Sequence, residues 1–250
     1  MRIWILCSVT FALGACATSP PKLTLEQIAT QQRAEQELKN AIAAVTKIEI
    51  FYPVDFRYDV VLAQNATSGQ SGFGLLGLVV NLAVDASQKG NYEIRSNEFT
   101  RKVKALPGYT NIATDTVEKA ATLLRDSGRE VKISVMPNVK DDASLSLPKS
   151  VVVTPEFGVL LVRPLHDLIA MDAYSSYKPT VTYELKLQDS AGKLIWTDKV
   201  SQRKEDVSYS SYSVLSEKTA DAFSVLQKMS AAVPAELLKK LTTPTVKLSK

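Results

Sequence analysis

The sequence predicts an α+β domain: a mixed or antiparallel sheet with a hairpin in its C-terminal half, flanked by helices, plus an N-terminal helix. Three observations predict it. From Thr180 to Gln188 apolar residues alternate with polar ones, placing Val181, Tyr183, Leu185 and Leu187 on one face, as in a half-buried strand. From Thr114 to Asp126 they recur at helical spacing, with Val117, Ala120, Ala121 and Leu124 on one side. The second half of the chain is mostly strand-like, and a hydrophobic content of 45% is enough for a sizeable core.

The first segment reads as a targeting signal. Arg2 is the only charge in the first fifteen residues, and an apolar run from Ile3 to Leu13 follows it. A basic start, a short apolar stretch and small residues are the order of a secretory signal. The stretch is too short to span a bilayer, which takes about 20 apolar residues. Its end, Leu13-Gly14-Ala15-Cys16, resembles the lipobox of bacterial lipoproteins. The resemblance implies cleavage between Ala15 and Cys16, a diacylglyceryl group on the Cys16 thiol, and acyl chains such as palmitate as the membrane anchor. Each buried methylene contributes about 0.8 kcal/mol, so two or three chains hold durably. Ala17, in place of an aspartate, resembles the sorting signal of the outer-membrane class in Gram-negative bacteria. That implies a periplasm-facing location on the outer membrane.

Removing residues 1–15 leaves 235 of 250, a length for one domain, and takes away Arg2, so the net charge falls from +4 to +3. No basic block accompanies that charge, which argues against a nucleic-acid partner. Cys7 leaves with the signal and lipid consumes Cys16, so the mature chain keeps no thiol and no disulfide.

Residues 16–23 form a lipidated tether whose Pro20-Pro21 and small polar residues favour extended chain. A tether of about seven residues holds the body within roughly 20–25 Å of the membrane. The α+β domain occupies residues 24–250. Thr24, with Gln27 three positions on, begins a helix through Leu25, Ile28, Leu38 and Ile42. Its middle, Thr30 to Glu37, is very polar, so this helix lies on the surface or projects from it. Strands are expected at 47–52 and 56–63. A loop from Asn65 to Gly72 leads into an apolar helix over 73–88, which packs in the core or against a membrane or second copy. A charged, helix-prone stretch runs from Ile94 to Leu106 and stops at Pro107-Gly108. After the 114–126 helix and its stop at Gly128 come strands at 131–136, 151–153 and 158–163. The 180–188 strand turns at Asp189-Ser190-Ala191-Gly192 and returns over 193–200. Lys199 to Ser211 is polar. A final helix spans 214–229, Pro234 interrupts it, and 235–241 adds a turn or two.

The block Gly158 to Val162, Thr180 to Leu187 and Asp189 to Trp196 resembles the periplasmic lipoproteins grouped around the curli-secretion lipoprotein and the Tol-system N-terminal domain. The resemblance covers about a fifth of the chain and implies a mixed sheet flanked by helices. It implies no residue-level role.

Candidate chemistry is sparse. Gly72-Phe73-Gly74-Leu75-Leu76-Gly77 matches the dinucleotide pattern G-x-G-x-x-G, with Glu93 downstream. However, residues 65–70 separate it from the preceding strand, and Tyr92 to Ser96 is too charged for a buried second strand. Its glycines read better as close packing of a helix. His166 is the only histidine; with Asp167 and Asp172 it reads as a loop pair, too few ligands for a metal. Asp141-Asp142 sits in a polar loop, and no serine stands in a G-x-S-x-G elbow. No catalytic residue, metal or cofactor is therefore expected. Two tyrosine-serine clusters, Tyr174/Tyr177 and Tyr209/Tyr212, are the first choice for an interaction surface, since tyrosine offers apolar area and a hydroxyl at low entropy cost. The expected role is that of a membrane-anchored, non-enzymatic envelope lipoprotein that binds protein in assembly or transport. Its partners would be the membrane through Cys16, a protein of the envelope and, admissibly, a second copy. The alternative is a carrier for lipid or glycan.

Overall fold

The structure, a computed structural model, describes residues 25–62, 86–136, 145–170 and 176–244. The signal segment, Ala15, Cys16, Ala17, the tether, the Thr24 cap, the glycine motif, nearly all of the 73–88 helix, Asp141-Asp142 and Tyr174 lie outside them.

The architecture is α+β, as expected. Among the described residues one mixed sheet has the order β3-β1-β4-β5-β6, with β2 also paired to β4. The strands are β1 (Lys47–Pro53), β2 (Tyr58–Leu62), β3 (Glu130–Met136), β4 (Gly158–Ala170), β5 (Tyr177–Gln188) and β6 (Leu194–Arg203). β1 is parallel to β3 and β4, and β2 to β4, whereas β4–β5 and β5–β6 are antiparallel. The helices are α1 (Leu25–Ala44), α2 (Ala86–Lys104), α3 (Ile112–Asp126), α4 (Tyr212–Glu217), α5 (Thr219–Ser230) and α6 (Val233–Thr242).

One sheet face carries Ile48, Ile50, Tyr58, Val60, Leu160, Leu168, Val181, Tyr183 and Leu185 against Phe99, Val117, Leu124, Phe223, Leu226 and Leu237 of the helices. The other face carries Phe51, Val159 and Leu161 with Met136, covered by Leu145, Leu147, Val151 and Val153. The three valines 151–153 are not a strand. Pro148 and Pro155 bracket them, Val151 N–H donates to Pro148 O at 2.9 Å, and Val152 points outward while its neighbours pack inward. The Glu49 carboxylate pins this segment to the sheet. It accepts from Thr154 N–H at 2.8 Å and the Ser134 hydroxyl at 2.5 Å, with Lys132 Nζ at 3.4 Å.

Most elements keep their expected bounds, for local reasons. Asn111 caps α3, its side chain accepting from Ala113 and Thr114 N–H, and Gly128 at φ +89° ends it. In the hairpin turn the Asp189 carboxylate accepts from Ala191 and Lys193 N–H at 3.0 and 2.8 Å. α1 is held by its own pairs, Gln31 to Glu35 and Gln36 to Asn40, each at 2.9 Å. Residues 26–30 are exposed and the core takes only Ile42 fully, with Leu38 in part. At about 1.5 Å per residue, α1 carries the chain roughly 30 Å. Elsewhere tertiary contacts move the boundaries. The charged helix starts at Ala86, β6 continues to Arg203, and the last long helix breaks at Lys218 into α4 and α5. β4 runs on to Ala170 and so takes in His166.

That extension depends on an interruption. β1 leaves β4 after Phe51↔Leu161, and β2 joins it at Tyr58↔His166. Residues 52–57 thus face only residues 162–165, two more on one side than the other. Pro53 and Pro164, which lack an N–H, both fall in this gap. β5 meanwhile pairs with β4 without a break through Pro164↔Tyr183.

The outer edge of β2 is closed by a helix. Ser96 Oγ of α2 accepts from Val60 N–H at 3.0 Å. One turn later Thr100 Oγ1 accepts from Tyr58 N–H at 2.9 Å and donates to Tyr58 O at 3.3 Å. Hydroxyls spaced by four stand in for a neighbouring strand. Ser96→Ala leaves the buried Val60 N–H unpaired, which costs about 1–3 kcal/mol. Denaturant unfolding should show that loss with an unchanged m-value, whereas Ser→Ala at exposed Ser213 should be near neutral.

Candidate functional site

His166 is in a central strand, not in a polar loop as the sequence suggested. Strand pairing turns its side chain toward the helices and that of Asp167 to the opposite face. The imidazole is fully buried. Its Nε2 lies 3.0 Å from Ser230 Oγ at the end of α5 and 3.2 Å from the Tyr183 hydroxyl. Tyr183 donates to Thr116 Oγ1 at 3.2 Å, and Thr116 donates to Ile112 O at 2.7 Å. Two hydroxyls, of Ser230 and Tyr183, thus converge on Nε2. Phe56, Tyr58 and Tyr183 surround the ring at centroid distances of 5.0, 5.8 and 5.5 Å. Burial lowers the imidazole to about 3 and pushes the Tyr183 phenol up to about 12.

A serine hydroxyl beside an imidazole is the start of a nucleophilic site, but such a site also needs an orienting third group and access. Here Ser230 is 1% exposed and His166 0%. Nδ1 has no hydrogen-bond partner among the described residues. Asp167, the acid next in sequence, faces the other way. The group joins sheet to helices: β4, β5, α3 and α5 meet through it.

The tyrosines divide. Tyr177 and Tyr209 are buried, and their backbones pair across two segments, N–H to O at 2.8 and 2.9 Å in the two directions. Tyr212 is half-buried and donates to Glu98 Oε2 at 2.9 Å. Arg95 of α2 links them, its Nη1 donating to the Tyr177 hydroxyl at 3.1 Å while its guanidinium lies 5.3 Å from the Tyr212 ring centre. Tyr177 and Tyr209 therefore close the domain at the start of β5, and Tyr212 keeps part of its surface in solvent.

Among the described residues an open concavity lies elsewhere, and the sequence carried no sign of it. A cleft of about 700 Å³ separates the C-terminal half of α1 from the β5–β6 turn. Ala34, Leu38, Ala41 and Ile195 form its walls, and Lys47, Glu156, Asp189 and Lys193 its rim. Leu194 beside it is 49% exposed. Gly158 sits at its base, where a Cβ would meet Val45 Cγ1 at 2.5 Å and Gln188 O at 2.8 Å. Small residues on α1 hold the cleft open. Its mix of apolar wall and ionic rim suits an amphipathic partner or ligand. Three separate stretches build it, so no local motif marks it.

No known protein-family model matches the chain, and no curated protein is similar to it in sequence. Among solved structures it is similar to a minor lipoprotein from Acinetobacter baumannii, at 10% identity and a TM-score of 0.36, over 81% of this chain and 97% of that one. It is also similar to a Xanthomonas campestris protein of DUF330, at 13% identity and a TM-score of 0.34, over 80% of this chain and 86% of that one. Likeness at this level does not extend to function.

The buried imidazole sets an acid limit on stability. Its folded value lies below the unfolded one, so the unfolded chain takes up a proton first and stability falls as pH drops from about 6.5 toward 3. His166→Gln removes this slope. The stability difference between wild type and His166→Gln should shrink by about 2 kcal/mol from pH 6.5 to pH 5 in chemical denaturation. An unchanged difference would mean that the imidazole is hydrated.

Proposed function

We propose that this protein is a lipid-anchored lipoprotein of the bacterial envelope whose domain binds another protein as an assembly or transport accessory. The observation that carries the reading is Leu13-Gly14-Ala15-Cys16 behind a basic start and a short apolar run. The form of α1 supports it: a helix exposed over its first turns, directly after the tether, sets the body off from a surface. Ala17 supports sorting to the outer membrane, with the body facing the periplasm. A non-catalytic role is supported by the sealed Ser230–His166 pair, which no substrate reaches.

The cleft favours a second reading, a carrier for a small lipid or glycan. Its volume of about 700 Å³ falls in the range of ligand sites. Its ionic rim fits a protein surface equally well, and the core beneath it is filled by interlocking side chains.

The decisive experiment uses cells. Cys16→Ala should abolish labelling by a fatty-acid analogue and release the protein from membranes. Crosslinking through a photoreactive residue at Leu194 should trap one defined envelope protein. A labelled, membrane-bound Cys16→Ala variant contradicts the anchor. Capture of lipid or glycan instead of protein favours the carrier reading.

A further inference from the structure

The sheet face opposite His166 carries an acid pair. Asp59 of β2 and Asp167 of β4 are register partners on adjacent parallel strands, so their side chains leave the same face about 5 Å apart at the backbone. The row continues through Thr180 of β5 to Arg203 of β6. Asp167 is 7% exposed and Thr180 1%.

Few cations answer these acids. Arg57, just before β2, donates Nε–H to Asp59 Oδ1 at 2.5 Å. From α2 comes Tyr92, neutral, its ring centre 5.4 Å from the Arg57 guanidinium and its hydroxyl 3.5 Å from Nη2. Of the other α2 charges, Arg95 turns to Tyr177 and Tyr212, Glu98 to Tyr212 and Lys102, and Lys104 to Asp55. Thr180 contributes a neutral hydroxyl with no hydrogen-bond partner among the described residues. Arg203 pairs with Glu205 at 3.1 Å, and Lys178, two residues from Thr180, pairs with Glu205 as well. Among the described residues, two carboxyls thus face the Arg57 guanidinium. If both ionised, one uncompensated negative charge would be buried, which folded proteins avoid by neutralising a group.

We propose that the Asp59–Asp167 pair retains one proton, on Asp167, and forms a proton-operated latch on the β2–β4 seam. With the proton in place β2 lies against β4. When alkaline conditions remove it, two like charges stand in register and β2 loosens. Burial and the neighbouring Asp59 push Asp167 well above the carboxylate range, and burial raises Asp59 against the opposing pull of Arg57 and of the Tyr92 hydroxyl, which donates to it. β2 is the strand most exposed to such a push. Besides its short ladder to β4, the Ser96 and Thr100 hydroxyls are what hold its edge among the described residues. A loosened β2 would carry α2 with it. A domain outside the cytoplasmic membrane meets the pH of its surroundings; that use rests on the envelope location proposed above, while the latch itself does not.

The folded chain holds a proton that the unfolded chain, with ordinary carboxyls, has released. Stability therefore falls as pH rises, until the folded pair also ionises. Above about pH 7 His166 is neutral in both states and contributes no slope.

The test is thermal unfolding of the full chain purified in detergent, from about pH 7 to pH 9, with amide exchange and infrared spectra on the same samples. Wild type should lose about 3 °C or more of Tm across that range, with faster exchange at residues 58–62 and 96–104. It should also show a protonated-carboxyl band near neutral pH. Asp167→Asn, which mimics the protonated acid, should flatten the Tm profile and lose the band. Asp59→Asn should flatten it too, because Arg57 can then serve Asp167; it carries the test if Asp167→Asn does not fold. A flat wild-type profile without the band overturns the latch. So does protection at pH 9 by sodium but not by choline at equal ionic strength, which would assign the missing charge to a metal cation. None of these outcomes depends on lipidation or on a partner.

Discussion

Strand β4 lies between β1 and β2 on one side and β5 on the other, with helices over one face and the 145–153 segment over part of the other. Eleven of its thirteen residues are buried. Leu160, Leu161 and Leu168 are withdrawn from water almost completely, each contributing roughly 2 kcal/mol. Every other strand pairs with β4 or with a neighbour of it, and α3, α5 and α6 find their seats on the face that it helps to form. The packing is close enough that Gly158, at its start, has no room for a methyl group.

Such burial has a consequence for polar groups. His166 and Asp167 are adjacent, so alternation sends one into the helical core and the other to the opposite face. Neither meets a full counter-charge, and both are held neutral in the folded chain. Their linkages have opposite signs: the imidazole costs stability as pH falls, the carboxyl as pH rises. Below about pH 6.5 the two slopes oppose each other, and above it only the acid pair remains. Two polar residues in one central strand thereby keep the fold tolerant of mild acid and leave it sensitive to alkali.

Much of this architecture was legible where the cause is local. Asp189 and Gly192 make the hairpin turn by their own hydrogen bonds and backbone freedom, and α3 is written in its apolar spacing and its stop at Gly128. The second half of β4 was not legible. Pro164-Leu165-His166-Asp167 reads as a loop, and becomes strand only because β1 and β2 part opposite Pro164 and because Ser230 and Tyr183 answer the imidazole. Val151 to Val153 reads as strand by composition, yet flanking prolines and the reach of Glu49 make it a covering segment. The tyrosine clusters looked like open loops because serines surround them; a backbone pairing between distant residues buries Tyr177 and Tyr209. The cleft was invisible for the same reason, since α1, residues 156–158 and the β5–β6 turn meet only in the folded chain. The proposed anchor rests on the other extreme, contiguous residues at 13–16.

If β4 is the element on which the others depend, its amides must open last. Native-state hydrogen exchange under conditions where exchange reports opening free energy tests this most directly. Residues 159–163 and 165–169 should exchange only through global unfolding, with β2 and α2 opening earlier. Slower exchange in α3 or at the hairpin tip than in β4 would contradict the account, because the sheet would then be built around a different centre.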